Sequence, residues 1–199
     1  MSPSLVGSPP HAGRSRRTLG WRGVLAAAAC ASAATLLPAR SARAQLGAAN
    51  SVYAELLGNG GLYSVNFDRR LGAGGASVRV GIASWSSDGG LFGGVGERQR
   101  FLTVPLLLNA LTGTGTDHLE LGAGVLLGSQ TVTPPFGGPS TRSSIVSATS
   151  TLGYRRQRPV RGWVFRASLT PMYGFGSEER AYPERGFFLS GGVAVGYGF

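Results

Sequence analysis

Residues 187–199 read FFLSGGVAVGYGF, and their alternation bears directly on the fold class. Side chains on a strand point to opposite faces with period two. One column holds Phe187, Leu189, Val193, Val195, Tyr197 and Phe199, with Gly191 as its gap. The other holds Phe188, Ser190, Gly192, Ala194, Gly196 and Gly198. A sheet with one solvated face carries polar and charged residues there. Here the second face is mostly glycine and small residues. Large apolar side chains outward and small ones inward suit a narrow barrel in lipid. A buried strand of a soluble sandwich has the same period, so this stretch alone leaves both architectures open.

The segment resembles the C-terminal strand of Gram-negative outer-membrane β-barrels. The resemblance rests on Val193, Val195, Tyr197 and Phe199: a terminal Phe preceded at every second position by aromatic or aliphatic residues. It implies that these four residues form the signal read by the barrel-assembly machinery.

From residue 51 onward the chain breaks into short alternating runs separated by turn residues. The expected strands are 52–58, 62–70, 76–85, 101–111, 118–128, 145–154, 162–175 and 187–199. In the second, Tyr63, Val65 and Phe67 oppose Ser64, Asn66 and Asp68. In the third, Val78, Val80 and Ile82 oppose Ser77, Arg79, Gly81 and Ala83. Asn59-Gly60-Gly61 is a tight-turn signal, since these residues tolerate positive φ. The expected connections are short after Arg70, Leu111 and Tyr154, and longer after Trp85, Gly128 and Phe175. Such alternation fits short periplasmic turns and long outer loops, and a soluble sandwich has no reason to show it. The 59–61 turn is the exception. The fold class is therefore all-β: an up-and-down antiparallel transmembrane barrel of about eight strands, resembling the small OmpA/OmpX-type barrels.

The aromatics sort by height. Phe67, Tyr154, Trp163, Tyr197 and Phe199 fall near the periplasmic ends of their strands, and Tyr63, Tyr173, Phe175 and Phe187 near the outer ends. Two such girdles match headgroup layers. Pro105 and Pro171 fall inside expected strands of a barrel that has no edge to hide a missing N–H, so the sequence predicts either bulges or displaced boundaries there.

Residues 1–44 read as a cleaved export signal, leaving 45–199 as the barrel domain. Arg14, Arg16, Arg17 and Arg22 precede an apolar run from Val24 to Leu37, and Ala42-Arg43-Ala44 supplies a cut before Gln45. The run is shorter than the roughly 20 residues of a spanning helix. Ser15-Arg16-Arg17-Thr18-Leu19 resembles a twin-arginine motif, a route that carries folded cargo and does not suit a barrel that folds in its membrane. Cys30 lacks the aliphatic neighbours a lipidation site prefers. It is the chain's one cysteine, so the remainder has no disulfide or thiolate site.

The net charge of +10 comes largely from this leader. After residue 44 there remain 13 arginines against nine acids, scattered over turns. No basic stripe for nucleic acid results. All 19 basic residues are arginine, and 33 glycines fit turns and a crowded interior.

Few residues suggest chemistry. Some outer-membrane barrels are lipid A acylases or deacylases using His with Ser and an acid. His11 falls in the leader, and His118 is expected at a periplasmic turn beside Asp117, away from the outer leaflet. No metal-ligand spacing and no cofactor motif appears. The polar constellation is internal: Glu55, Arg79, Glu120 and Arg166 face the lumen from four strands. Eight strands leave room for side chains and not for a wide channel. These charges are either a filling salt-bridge network or a narrow ion path. The expected function is an integral outer-membrane structure acting through its loops, with outer-membrane lipid as its surroundings and no enzymatic activity; a narrow pore and a lipid-modifying enzyme are the alternatives.

Overall fold

Eight strands follow one another around a closed antiparallel barrel. They are β1 (Asn50–Leu57), β2 (Tyr63–Leu71), β3 (Ala76–Asp88), β4 (Arg98–Thr112), β5 (Asp117–Thr133), β6 (Thr141–Gln157), β7 (Gly162–Gly174) and β8 (Gly186–Gly198). The computed structural model describes residues 48–72, 75–88, 96–113, 115–175 and 186–199. The expected export segment, with Cys30 and His11, lies outside the described residues, as does most of the loops 89–97 and 175–185.

Closure comes from β8 pairing with β1, Tyr197 opposite Val52 and Val195 opposite Ala54. Phe199 donates its N–H to Asn50 O at 2.9 Å and accepts from Asn50 N at 3.0 Å. A closed sheet has no unpaired edge around its waist.

The alternating columns fall where period two puts them. Val65, Ile82, Leu108, Trp163, Leu189 and Val193 are exposed on the outer wall. Ser64, Asn66, Asp68, Ser77, Arg79 and Thr103 are buried within. An apolar exterior around a polar interior is the reverse of a soluble barrel and the arrangement hydrocarbon selects.

The strands are longer than the pattern suggested. Residues 129–132 and 141–144, expected as loop, are rungs of one β5–β6 ladder that runs to Val132 opposite Thr141. Only 134–140 remains as connection, with a single 3-10 turn at Pro135–Gly137. Ser86–Asp88 likewise extend β3, and Arg98 begins β4. Arg155 to Gln157, expected as a turn, finish β6. These segments carry polar residues on both faces because they stand beyond the apolar belt, so they look like loop.

Pro105 and Pro171 produce neither bulge nor displaced boundary. The β3–β4 register is the same on both sides of the gap, Val80 opposite Leu106 and Ala83 opposite Thr103. The β6–β7 register is likewise unbroken, with Thr149 opposite Met172 and Leu152 opposite Leu169. Each proline costs ladder bonds on one side and still pairs on the other, with Leu126 and Leu189 respectively. Gly81 makes room for the first: a Cβ there would sit 2.9 Å from the Pro105 ring.

Candidate functional site in the barrel lumen

The interior is filled in layers from the end where β1 begins and β8 finishes. In the lowest, Arg155 Nη1 is 3.1 Å from Asp68 Oδ1, both side chains fully buried. Arg155 Nη2 donates to Ser51 Oγ at 2.9 Å, and Ser77 Oγ donates to Asp68 Oδ2 at 3.1 Å. Asp68 was read as inward-facing; Arg155 was assigned to a turn and its lumen role missed. The alternation Arg155, Gly153, Thr151 on the inner face was the available signal.

The next layer brings together all four charges that the sequence pointed inward. Arg166 forms a fork on Glu120, with Nε to Oε2 at 2.8 Å and Nη2 to Oε1 at 2.9 Å. Its Nη1 reaches Glu55 Oε1 at 3.4 Å, and Arg79 Nη1 approaches the same oxygen at 3.7 Å. The Arg166 guanidinium also lies over the Tyr53 ring, 4.7 Å from its centroid. Ser64 Oγ donates to Glu55 Oε2 at 3.4 Å. A buried charge is tolerated only when paired and hydrogen-bonded. Two arginines around two glutamates meet that condition with no net charge. Planar arginine forks suit the arrangement better than the point charge of lysine.

Above them the β1–β2 hairpin enters the lumen. Asn59, expected in a tight turn, is fully buried. Its Nδ2 donates to Thr149 Oγ1 at 2.6 Å and to Ser150 O at 3.1 Å, on the far wall. Its Oδ1 accepts from Arg79 and from Thr151 Oγ1, the latter at 3.0 Å. Thr103 Oγ1 donates to Gly60 O at 2.6 Å. Gly58, at φ +92°, presses on the charge layer; a Cβ there would lie 2.8 Å from Glu55 Cδ.

The outer part of the lumen is apolar. Ala83, Trp85, Phe101, Leu126, Ile145 and Met172 form a buried cluster, with Phe188 packed against it. Trp85 and Phe101 stack at 5.0 Å and 14°. Gln130 Nε2 donates to Gln99 Oε1 at 3.3 Å, and both side chains are buried. This layer was not anticipated. Its trace in the sequence is loss of alternation: Phe101 beside Leu102, and Leu126 between Val125 and Leu127.

Other expected site residues lie outside the lumen. Val193, Val195 and Tyr197 are exposed on the outer face of β8, and Phe199, which follows it, is exposed as well. Tyr197 meets Trp163 edge-on at 6.3 Å. Gly191, the gap in that column, contributes to an external groove of about 450 Å³ bordered by Leu56, Leu57, Leu152, Leu169 and Val193. His118 belongs to β5 and not to a turn, half-buried on the inward column at the end where β1 begins. Among the described residues no group of three His, Cys, Asp or Glu is placed to hold a metal.

The eight-stranded closed barrel agrees in fold with a solved structure. Over 75% of this chain and 97% of the other, the fold matches the N-terminal β-barrel domain of Pseudomonas aeruginosa OprF, with a TM-score of 0.51 and 19% identity. The chain has the OmpA/OmpX-type eight-stranded barrel fold. The attachment invasion locus protein Ail of Yersinia pestis also matches, over 75% of this chain and 94% of its own, with a TM-score of 0.46 and 15% identity. No family model and no curated protein matches the sequence.

Proposed function

We propose that the chain is an integral outer-membrane protein that acts as a closed, non-enzymatic barrel, with its outer rim and loops as the contact surface. The observation that carries this reading is the filled lumen. A charge layer, a hairpin tip and an apolar cluster are stacked along one axis. Water-filled passage would require breaking the contacts of Asn59 and separating Trp85 from Phe101. The apolar outer wall supports placement in hydrocarbon, and the resemblance of Val193, Val195, Tyr197 and Phe199 to an assembly signal supports delivery by the barrel-assembly machinery.

Cell fractionation with a heat-modifiability gel tests the placement: the chain is expected in the outer membrane, at a mobility that changes on boiling. Planar-bilayer recording tests the closed lumen, with no steady conductance expected. A persistent open channel would favour the narrow pore. A mass shift of lipid A on expression would favour an enzyme instead.

A further inference from the structure

The outer rim is chemically divided. Among the described residues, the outward aromatics at the strand ends there, Tyr63, Tyr173, Phe175 and Phe187, belong to β2, β7 and β8 or follow them directly, while Phe136 stands exposed in the β5–β6 connection beyond the other half. The outward positions of β3 to β6 at the same end carry hydroxyls and arginines. One row is continuous through the ladder: Ser86 pairs with Arg100, Arg100 with Thr131, and Thr131 with Arg142. Arg100 and Arg142 are exposed. The row beneath holds Ser84, Leu102, Ser129 and Ser144, and Arg142 Nη2 donates to Ser129 Oγ at 3.3 Å. In the row above, Arg98 Nε holds Asp88 Oδ1 at 2.6 Å. Asp88 is the one acid among the strand residues of these three rows, and it is already taken.

We infer that Arg100 and Arg142, with Thr131 between them, bind the phosphate of a phosphorylated glycolipid in the outer leaflet. This rests on the outer-membrane reading above. The height is right. From Leu119 to Thr131 a strand tilted by about 40° climbs roughly 30 Å, a little beyond an apolar band of about 25 Å. Thr131 therefore stands at headgroup depth above acyl-chain contacts, and the row through it slopes by about 3 Å per strand, which keeps both arginines within reach of that layer. The spacing is right as well. The two arginines are two strands apart, about 10 Å between backbones, so both guanidinium forks can converge on one anion above Thr131. The hydroxyls of Ser86, Ser129 and Ser144 supply neutral partners for a sugar. An arginine fork matches phosphate in geometry as well as charge.

The test uses the chain exported in cells and purified from membranes in detergent. Native mass spectrometry reads retention of phosphorylated lipid A, and of the same lipid after phosphatase treatment. The phosphorylated form is expected to be retained about tenfold more. R100Q/R142Q is expected to retain both forms equally. R69Q/R156Q, which removes the same charge from exposed positions at the opposite rim, is expected to keep the preference. Absence of preference in the unaltered chain overturns the assignment. So does equal loss in R69Q/R156Q, which would mark a general charge effect. Displacement of the lipid by millimolar inorganic phosphate would make this a free-anion site and overturn the lipid assignment. Fractionation reports on membrane placement separately, so a failure there is distinguishable from a failure at the rim.

Discussion

Asn59, at the tip of the first hairpin, donates to Thr149 on the far wall of the barrel, 90 residues along the chain, at 2.6 Å. The connection between β1 and β2, residues 58–62, is part of the interior. Replacing Asn59 with Ala leaves Thr149, Thr151 and one Arg79 nitrogen short of a partner. The expected loss is about 1–3 kcal/mol, read as a lower urea midpoint by tryptophan fluorescence. A midpoint unchanged within error would show that the tip is not held by these bonds.

The Glu120–Arg166 fork predicts a sign pattern. Glu120→Ala or Arg166→Ala leaves an uncompensated buried charge and is expected to cost about 3–5 kcal/mol. The double variant removes both charges and recovers part of the loss, because Arg79 still faces Glu55 at 3.7 Å. Additive losses in a double-mutant cycle would show the pair to be uncoupled.

Gly81 lies against the Pro105 ring where the β3–β4 ladder lacks rungs. Gly81→Val puts side-chain atoms against both the Asn66 side chain and that ring, and its expected cost is about 1–3 kcal/mol of overpacking. Gly72, where a Cβ would meet nothing, is not crowded in this way. Comparison of Gly81→Val with Gly81→Ala in urea melts checks the steric origin: the larger residue should lose more.

Phe199 joins Asn50 through two backbone hydrogen bonds at the closing seam. Deleting it removes both bonds and the terminal residue of the proposed assembly signal. Less heat-modifiable protein is expected in the outer membrane. Equal amounts and mobility would argue that neither closure nor recognition depends on it.

The wall was legible because lipid imposes a single period on every strand. Val65, Ile82, Leu108 and Val193 could be placed outside by parity alone, and the same parity put Glu55, Arg79, Glu120 and Arg166 inside. What parity cannot show is depth. Ser129 to Thr133 carry polar residues on both faces once the strand leaves the apolar belt, and so they read as loop. Arg155 looked like one more turn arginine for the same reason. Asn59 was recognised for its backbone tolerance, but the fate of its side chain depends on Thr149 and Ser150, which no local pattern connects to it. Phe101, Leu126 and Met172 broke the alternation, which marks an apolar layer in the lumen only once the barrel is closed.

The separations along the chain within the lumen have a kinetic meaning. Asn59 reaches Thr149 across 90 residues, Arg155 reaches Ser51 across 104, and Arg166 reaches Glu55 across 111. None of these contacts can form until the late strands stand beside the early ones, when most of the loop-closure entropy has already been lost. The filling therefore sets last. Contacts absent from the folding transition state govern how fast the native state is lost. Substitutions at Asn59 and Glu120 should accordingly speed unfolding while leaving the rate of insertion and closure nearly unchanged. The lumen network then acts as a latch, giving the finished barrel a long lifetime without slowing its construction.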